Sequence, residues 1–160
     1  MKQVLRAVVA IATLLTAAGA ASGGDRLTSL NYLIGTWTCS YHAAGAPAST
    51  YSATFSPAIG GNWIEEADAY PGGGDIAFYT YDKKTKMWSI TVVDSERATT
   101  IFRAADTGTD RLIWRSVFPD TSMMERFDKD SPTQFSIHFA QTVKGKTVTS
   151  WDVCKKGSGK

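Results

Sequence analysis

The chain has 160 residues, of which 17 are lysine or arginine and 15 are aspartate or glutamate. This length is typical of one domain with a single hydrophobic core and leaves no room for a second domain. Nucleic acid binding normally requires a clustered basic excess that displaces counterions from phosphates. The charge is nearly balanced, and the basic run at Lys155, Lys156 and Lys160 lies at the end of the chain. We therefore predict no nucleic acid partner.

The first 20 residues have the layout of a secretory signal peptide. Lys2 and Arg6 precede an apolar run that extends to about Leu15, and the small residues AGA at 18–20 offer a cleavage site. The run is shorter than the ~20 apolar residues that a membrane-spanning helix needs. We predict a signal peptide at 1–20, a secreted or periplasmic protein, and no stable membrane insertion after cleavage. Without Lys2 and Arg6 the acidic and basic side chains balance.

A lead segment with a short helix is predicted over 21–34. Asp25 is a candidate helix cap, and Leu27, Leu30 and Leu33 recur at three-residue intervals, which places them on one face.

From Gly35 onward, turn residues recur about every ten to twelve positions, a spacing typical of all-β barrels and sandwiches. Trp88, Ile90 and Val92 alternate with polar residues, as a strand with one buried face requires. Short turn sequences such as PGGGD, DKKTK and VKGK join neighbouring antiparallel strands and leave no space for crossover helices. We predict about ten strands, at 36–42, 50–56, 62–70, 76–81, 87–94, 98–103, 111–117, 122–127, 134–141 and 147–155.

Such a meander leaves its first and last strands as exposed edges unless the sheet closes. The chain has two cysteines, Cys39 near its beginning and Cys154 near its end. In an oxidising compartment such a pair favours a disulfide over a metal site. Closure would bring the two strands side by side. We predict a closed antiparallel up-and-down β-barrel over 35–156, a flexible tail at 157–160, and a Cys39–Cys154 disulfide at the seam.

The alternation of side chains along the two predicted strands does not decide how they are aligned at this seam. Cys39 shares its face with Trp37, which is expected to point inward, whereas Cys154 shares its face with Asp152 rather than Trp151. Either a bulge shifts one strand, or Asp152 faces the lumen and Trp151 packs outside.

Several stretches resemble calycin-type barrels. A short helix followed by LIGTW at 33–37 resembles the start of lipocalins, fatty-acid-binding proteins and nitrobindin-like haem proteins, in which a Gly-x-Trp seals the closed end. GGNWIEEADAY at 60–70, YDKKTKMWSITVVDS at 81–95 and SWDVCKK at 150–156 resemble uncharacterised bacterial lipocalin-like domains that are often exported. The likeness extends over nearly the whole mature domain. It implies a barrel with a lumen, but no particular reaction.

The haem-binding branch differs at its first strand. Where its pattern continues with glycines that let haem approach the backbone, this chain has Cys39 and Tyr41. A haem iron also requires an axial ligand such as histidine. His138 alternates with the apolar residues of its strand and is interpreted as solvent-facing, and His42 as a loop residue. The two histidines lack the short spacing of structural zinc sites. We therefore predict no metal and no cofactor, with haem disfavoured.

Aromatic residues and one glutamate are the candidates for lumen lining. In a barrel of this size, inward side chains either fill the lumen or surround a ligand. The candidates are Trp63, Tyr79, Trp88, Phe102, Trp114, Glu125 and Phe135.

Three carboxylates lie in apolar contexts: Glu66, Asp94 and Glu125. A carboxylate in a lumen is costly unless it is paired, and a paired one could orient the polar head of a ligand. The alternative interpretation is that Asp94 caps a turn, and that Glu66 and Glu125 lie near strand ends or on the outer face.

The leading hypothesis is an exported barrel that binds a small, mainly apolar molecule in its lumen and has no catalytic residues. One alternative is an isomerase or cyclase that uses Glu125 or Asp94 with a tyrosine as acid and base. Another is a structural or partner-binding domain whose lumen is filled. The chain has no Gly-x-Ser-x-Gly motif of the α/β-hydrolases.

Overall fold

The computed structural model describes residues 24–119 and 122–157. The predicted signal peptide, residues 21–23 of the lead segment and residues 158–160 of the tail lie outside this part of the chain. Within it, no helix has both the length and the apolar character to cross a membrane. The strands are β1 Gly35–Ala43, β2 Ser49–Ala58, β3 Trp63–Tyr70, β4 Gly73–Asp82, β5 Met87–Asp94, β6 Thr99–Ala105, β7 Arg111–Phe118, β8 Met123–Ser131, β9 Gln134–Val143 and β10 Lys146–Lys156.

The ten strands form one closed antiparallel barrel in which each strand pairs with its neighbour in sequence and β10 pairs with β1. The predicted fold class is therefore confirmed. The largest boundary difference is in β8, which continues past Phe127 to Ser131. The residues from Asp128 onward lay outside the predicted strand. They extend the sheet by pairing with β9, and Asp128 accepts hydrogen bonds from Arg111 and Arg126.

The seam between β1 and β10 is closed by the predicted disulfide. Cys39 and Cys154 are directly opposite each other, with Cα atoms 4.0 Å apart, and both are fully buried. The pairing runs without a register shift, so a bulge is not needed. Asp152 instead faces the lumen, and Trp151 is 42% exposed on the outer surface. The second of the two register alternatives is therefore correct.

A helical plug closes one end of the barrel. It consists of α1, Gly24–Thr28, and a 3-10 turn at Asn31–Leu33. Its three leucines, Leu27, Leu30 and Leu33, are buried in the core, as their spacing predicted. The helix begins at Gly24, so Asp25 lies inside it rather than at its cap.

The Gly-x-Trp motif joins the plug to the barrel. The indole Nε1 of Trp37 donates a hydrogen bond to the Leu33 carbonyl at 2.6 Å, and the side chain is fully buried. Gly35 has a φ of +127°, and a Cβ there would lie 3.0 Å from the Lys156 side chain. The Lys156 amine lies over the Trp37 ring and donates to the Tyr32 carbonyl. The first strand, the last strand and the plug thus meet at this motif.

Trp37→Phe is expected to lower the free energy of unfolding by about 1–3 kcal/mol, because it removes the indole N–H and leaves the Leu33 carbonyl without its donor. Urea denaturation followed by circular dichroism measures this. Trp151→Phe is the matched control, since Trp151 is exposed and its replacement should change stability by less than about 0.5 kcal/mol. Equal effects of the two substitutions would contradict the role given to Trp37.

Candidate functional site

A cavity of about 640 Å³ occupies the half of the barrel away from the plug. The plug half is filled by aromatic side chains, and this explains why the cavity lies at the other end. Trp37, Phe55 and Phe135 pack there with ring centroids 4.7 to 6.0 Å apart. In the cavity half, inward positions hold small residues such as Ala77 and Ser150. The alternative hypothesis of a lumen filled by side chains therefore holds only for the half of the barrel next to the plug.

The cavity reaches the surface at the end of the barrel opposite the plug. Ser49, Tyr70 and Pro71 form part of its wall at the ends of strands, as does Tyr41 of β1. Tyr41 and Tyr70 are 36% and 38% exposed, so these rings border the mouth. A small molecule can enter here.

The wall has two chemically different sides. On β5, β8 and β9 it is formed mainly by aliphatic and phenyl side chains, and we call this the apolar arc: Ile90, Val92, Phe127, Ile137 and Phe139. On the contiguous strands β10, β1, β2, β3 and β4 it carries carboxyl and tyrosine side chains, and we call this the acidic arc. The acidic arc includes Tyr41, Tyr51, Glu66, Asp68, Asp75 and Asp152.

Glu66 and Tyr79 form a buried pair at the inner end of the cavity. The Tyr79 hydroxyl donates a hydrogen bond to Glu66 Oε2, and the two residues are 2% and 6% exposed. Burial raises the pKa of Glu66 well above its usual value, and the hydrogen bond from Tyr79 lowers it in part. The pKa of Tyr79 is also raised, first by burial and then by the neighbouring carboxylate. Tyr79 therefore remains a hydrogen-bond donor at physiological pH.

Asp68 and Asp75 lie directly opposite each other on β3 and β4. Burial, followed by repulsion from Asp75, raises the pKa of Asp68 to about 8. Burial and the nearby Asp94 raise the pKa of Asp75. Asp68 Oδ1 is buried without a hydrogen-bond partner. The described residues of the cavity wall include no positively charged side chain that could pair with these two carboxyls.

Asp152 approaches the same region from β10, beside Tyr51 of β2. Burial raises the pKa of Asp152 to about 6, and the Tyr51 hydroxyl lowers it in part. The pKa of Tyr51 is strongly raised by burial and then by Asp152 and Asp68. Asp152 Oδ1 is a second buried carboxyl oxygen without a hydrogen-bond partner.

Glu125 lies on β8, among the residues of the apolar arc, and it lines the cavity across from the acidic arc. Burial, followed by repulsion from Asp152 and Asp75, raises its pKa to about 7. Its remaining accessible surface faces the cavity. Within the described chain, its carboxyl group has no hydrogen bond or ion pair.

Of the predicted lumen residues, Tyr79 and Glu125 line the cavity. Four others are buried in the core without lining it: Trp88, Phe102, Trp114 and Phe135. Trp63 is only half-buried and also lies outside the cavity wall, because Ile64 and Glu66 take the inward positions at the start of β3.

The structure decides between the two interpretations that the sequence left open for Asp94 and for Glu66. Asp94 accepts hydrogen bonds from the backbone N–H groups of Glu96 and Ala98, both at 2.9 Å, so it caps a turn and does not line the cavity. Glu66 is buried inside the barrel, which corrects the interpretation that placed it at a strand end or on the outer face.

Sequence reasoning did not identify Tyr51, Asp68 and Asp75 as cavity residues, and it placed Asp152 in the lumen only as one of two register alternatives. Asp68 could have been found by extending the alternation from Glu66 along β3, since residues two apart share a face. Tyr51 and Asp75 required the strand pairing, which places β2 and β4 on either side of β3, and the pairing of β10 with β1 decided the position of Asp152.

Both histidines lie away from the cavity wall. His138 is exposed on the outer face, with Nε2 3.8 Å from Asp128 Oδ2. His42 lies inside β1 rather than in the predicted loop, and its ring stacks on Trp151 with centroids 5.1 Å apart. Among residues 24–119 and 122–157, no three histidine, cysteine or acidic side chains are arranged to hold a metal ion.

No family model matches this chain, and no curated protein matches it. Solved structures share its fold. The S-type phycobiliprotein lyase CPES from Guillardia theta has a TM-score of 0.52 and 10% identity, and the match covers 85% of this chain and 93% of that one. A redesigned β-barrel has a TM-score of 0.44 and 13% identity over 79% and 94% of the two chains. The protein EF1p2_mFAP2b bound to DFHBI has 0.41 and 15% over 82% and 98%. At these identities the likeness to the lyase extends to the barrel fold alone.

Proposed function

We propose that this protein is an exported calycin-like barrel that binds a small molecule in its lumen, with most of the contact area supplied by apolar side chains. The observation that carries the proposal is the cavity of about 640 Å³ with an open mouth and an apolar arc. Small-ligand pockets typically measure about 300–1,000 Å³ and are lined mainly by apolar and aromatic side chains. A barrel with a purely structural role is expected to have its lumen filled by side chains and to lack such a cavity.

Two further observations support export. The Cys39–Cys154 disulfide is the kind of bond that persists in an oxidising compartment. The amino-terminal sequence has the charge and apolar pattern of a signal peptide. Together with the resemblance of three sequence stretches to exported bacterial lipocalin-like domains, they favour a periplasmic or secreted binding protein.

A neutral apolar dye tests the proposal. Nile red should gain fluorescence on binding the purified protein, and Val92→Trp, which projects an indole into the cavity, should weaken binding by about tenfold or more. The matched control is Val93→Trp, because Val93 is the next residue of β5 and is 43% exposed on the outer face. Native mass spectrometry of protein purified from its host should show a retained small molecule.

Equal dye binding by both variants would place the dye outside the cavity and overturn the proposal. Circular dichroism establishes that both variants are folded, and a second lining substitution, Ile137→Trp, repeats the test from β9 if Val92→Trp is unfolded.

One observation favours acid–base catalysis as a second candidate function. The Glu125 carboxyl, with a pKa of about 7, is poised to give or take a proton near neutral pH. The test uses the molecule recovered from the host. If wild-type protein converts it and Glu125→Gln binds it without conversion, the barrel is an enzyme; if neither converts it, this second candidate is wrong.

A further inference from the structure

The cavity wall concentrates negative charge. Five carboxyl groups line it, and its lining includes no lysine, arginine or histidine among the residues that the structure describes. The five are Glu66, Asp68, Asp75, Glu125 and Asp152. Burying a carboxylate without a partner is costly, and neighbouring carboxylates add repulsion. The arrangement therefore requires an explanation beyond stability.

The fold satisfies only part of the hydrogen-bonding capacity of these carboxyl groups. Asp68 Oδ1 and Asp152 Oδ1 are buried and have no hydrogen-bond partner, and Glu125, enclosed in the barrel, has none within the described chain. By contrast, Asp128, which does not line the cavity, is paired with Arg111 and Arg126. The unpaired Glu125 carboxyl and the four carboxyl groups of the acidic arc thus line one cavity, with no balancing cation among the lining residues that the structure describes.

We infer that the ligand of this barrel carries a positive charge, as an organic ammonium or guanidinium group, which the acidic arc binds while an apolar body lies against the apolar arc. This inference rests on the proposed ligand-binding function. A metal ion does not fit, because no three acidic side chains of the described chain are grouped to hold one. An organic cation is larger, and it can be contacted from several strands by oxygens spaced too widely for direct metal coordination.

The tyrosines of the wall suit the same ligand class. Tyr41 and Tyr70 border the mouth and Tyr51 lies beside Asp152 in the acidic arc. Aromatic faces attract ammonium and guanidinium groups within about 6 Å of the ring centroid. Their hydroxyls also offer acceptors and donors. A cation in the cavity would therefore have both tyrosine rings and carboxylates in the surrounding wall.

Binding of a cation should be coupled to proton release. The titratable groups that face the cavity are the five carboxyls, on β3, β4, β8 and β10, and the tyrosines of β1, β2, β3 and β4. Around neutral pH, Asp68 and Glu125 are partly protonated in the empty cavity, with pKa values of about 8 and about 7. An entering cation favours their ionised forms, so the protons leave. Affinity for a permanently charged amine should rise as the pH increases from 5 to 8.

Displacement of Nile red by three matched compounds tests the inference: the cation tryptamine, the neutral alcohol tryptophol and the anion indole-3-propionate. Tryptamine should displace the dye at a concentration at least about tenfold lower than tryptophol at pH 7.5, and the anion should be the weakest. The tenfold preference should shrink at pH 5, where the carboxyls are protonated. Calorimetry in phosphate and in Tris should give different heats, because protons are released into buffers of different ionisation enthalpy.

Substitutions of single carboxyl residues test which part of the cavity wall produces the preference for the cation. Asp68→Asn and Asp152→Asn should each reduce the preference for tryptamine over tryptophol by about threefold to tenfold and leave tryptophol unchanged. Glu65→Gln is the matched control, because Glu65 lies beside Glu66 on the opposite face of β3 and does not line the cavity. The same preference in wild-type protein and in both asparagine variants would overturn the inference.

The outcome separates this inference from the proposed function. If Nile red does not bind inside the barrel, the ligand-binding function itself fails. If Nile red binds in a Val92-dependent way but amines in a wider series, from phenethylamine to N-alkylguanidines, displace it no better than the matching alcohols, only the inference of a cationic ligand is overturned.

Discussion

Replacement of Cys39 and Cys154 together by alanine is expected to lower the free energy of unfolding by about 4–5 kcal/mol, the largest effect that we expect from a local change. The disulfide closes a loop of 115 residues, almost the entire barrel, so its loss frees the unfolded chain from a long-range restraint. Both sulfurs are fully buried, and alanine leaves no unpaired polar group at the seam.

Urea denaturation of the wild-type and double-alanine proteins measures this difference. Wild-type protein with the disulfide chemically reduced is the matched control, and its stability should lie near that of the double variant. The backbone pairing of β1 with β10 continues on both sides of the disulfide, so the variant should still fold and bind Nile red. A loss below about 1 kcal/mol would mean that the unfolded chain is already compact, contrary to this account.

The second large effect is a loss of stability with rising pH. The pKa values of Glu125, Asp68 and Asp152 in the folded protein are raised to about 7, about 8 and about 6. The folded state therefore binds more protons than the unfolded state above about pH 4, and the free energy of unfolding falls as the pH rises from 5 to 8. We expect a decrease of about 2–4 kcal/mol, allowing for screening by water in the open cavity.

Denaturation curves at pH 5, 6.5 and 8 in the absence of ligand measure this dependence. Glu125→Gln should be more stable than wild type by about 1–3 kcal/mol at pH 8 and nearly equal to it at pH 5, because glutamine has no proton to lose. Glu65→Gln should follow the wild-type curve. The lower limit of pH 5 avoids protonation of Asp82 and Asp128, whose lowered pKa values give the opposite dependence in more acidic solution. Stability that rises from pH 5 to 8 would contradict the burial of these carboxyls.

The two proposals and this dependence agree on one physical picture. Buried carboxyls that destabilise the empty barrel at pH 8 are a cost that selection tolerates at functional sites, where binding needs groups that the fold leaves unsatisfied. A cationic ligand would remove that cost, and tryptamine at saturating concentration should therefore stabilise the protein more at pH 8 than at pH 5.

Much of the architecture could be predicted from the sequence by itself. Two-residue alternation and regularly spaced turn residues identified all ten strands, because strand pleating and tight turns depend on residues close together in the chain. Two cysteines near the ends of a meander that follows a predicted signal peptide predicted closure, and the leucine spacing predicted the short helix. These features follow from local patterns or from a single long-range pair.

The site itself was decided by the tertiary structure. Only the closed pairing shows that the lumen is filled at the plug end and open at the other, so that Trp88 and Trp114 became core while Tyr79 became cavity wall. The acidic arc likewise joins residues of β1, β2, β3 and β4 to Asp152 of β10, which is distant in the chain and becomes a neighbour of β1 only when the barrel closes. Alternation assigns each side chain to a face of its own strand, but the height of that residue in the barrel and its neighbours across the lumen depend on register, which long-range strand pairing fixes.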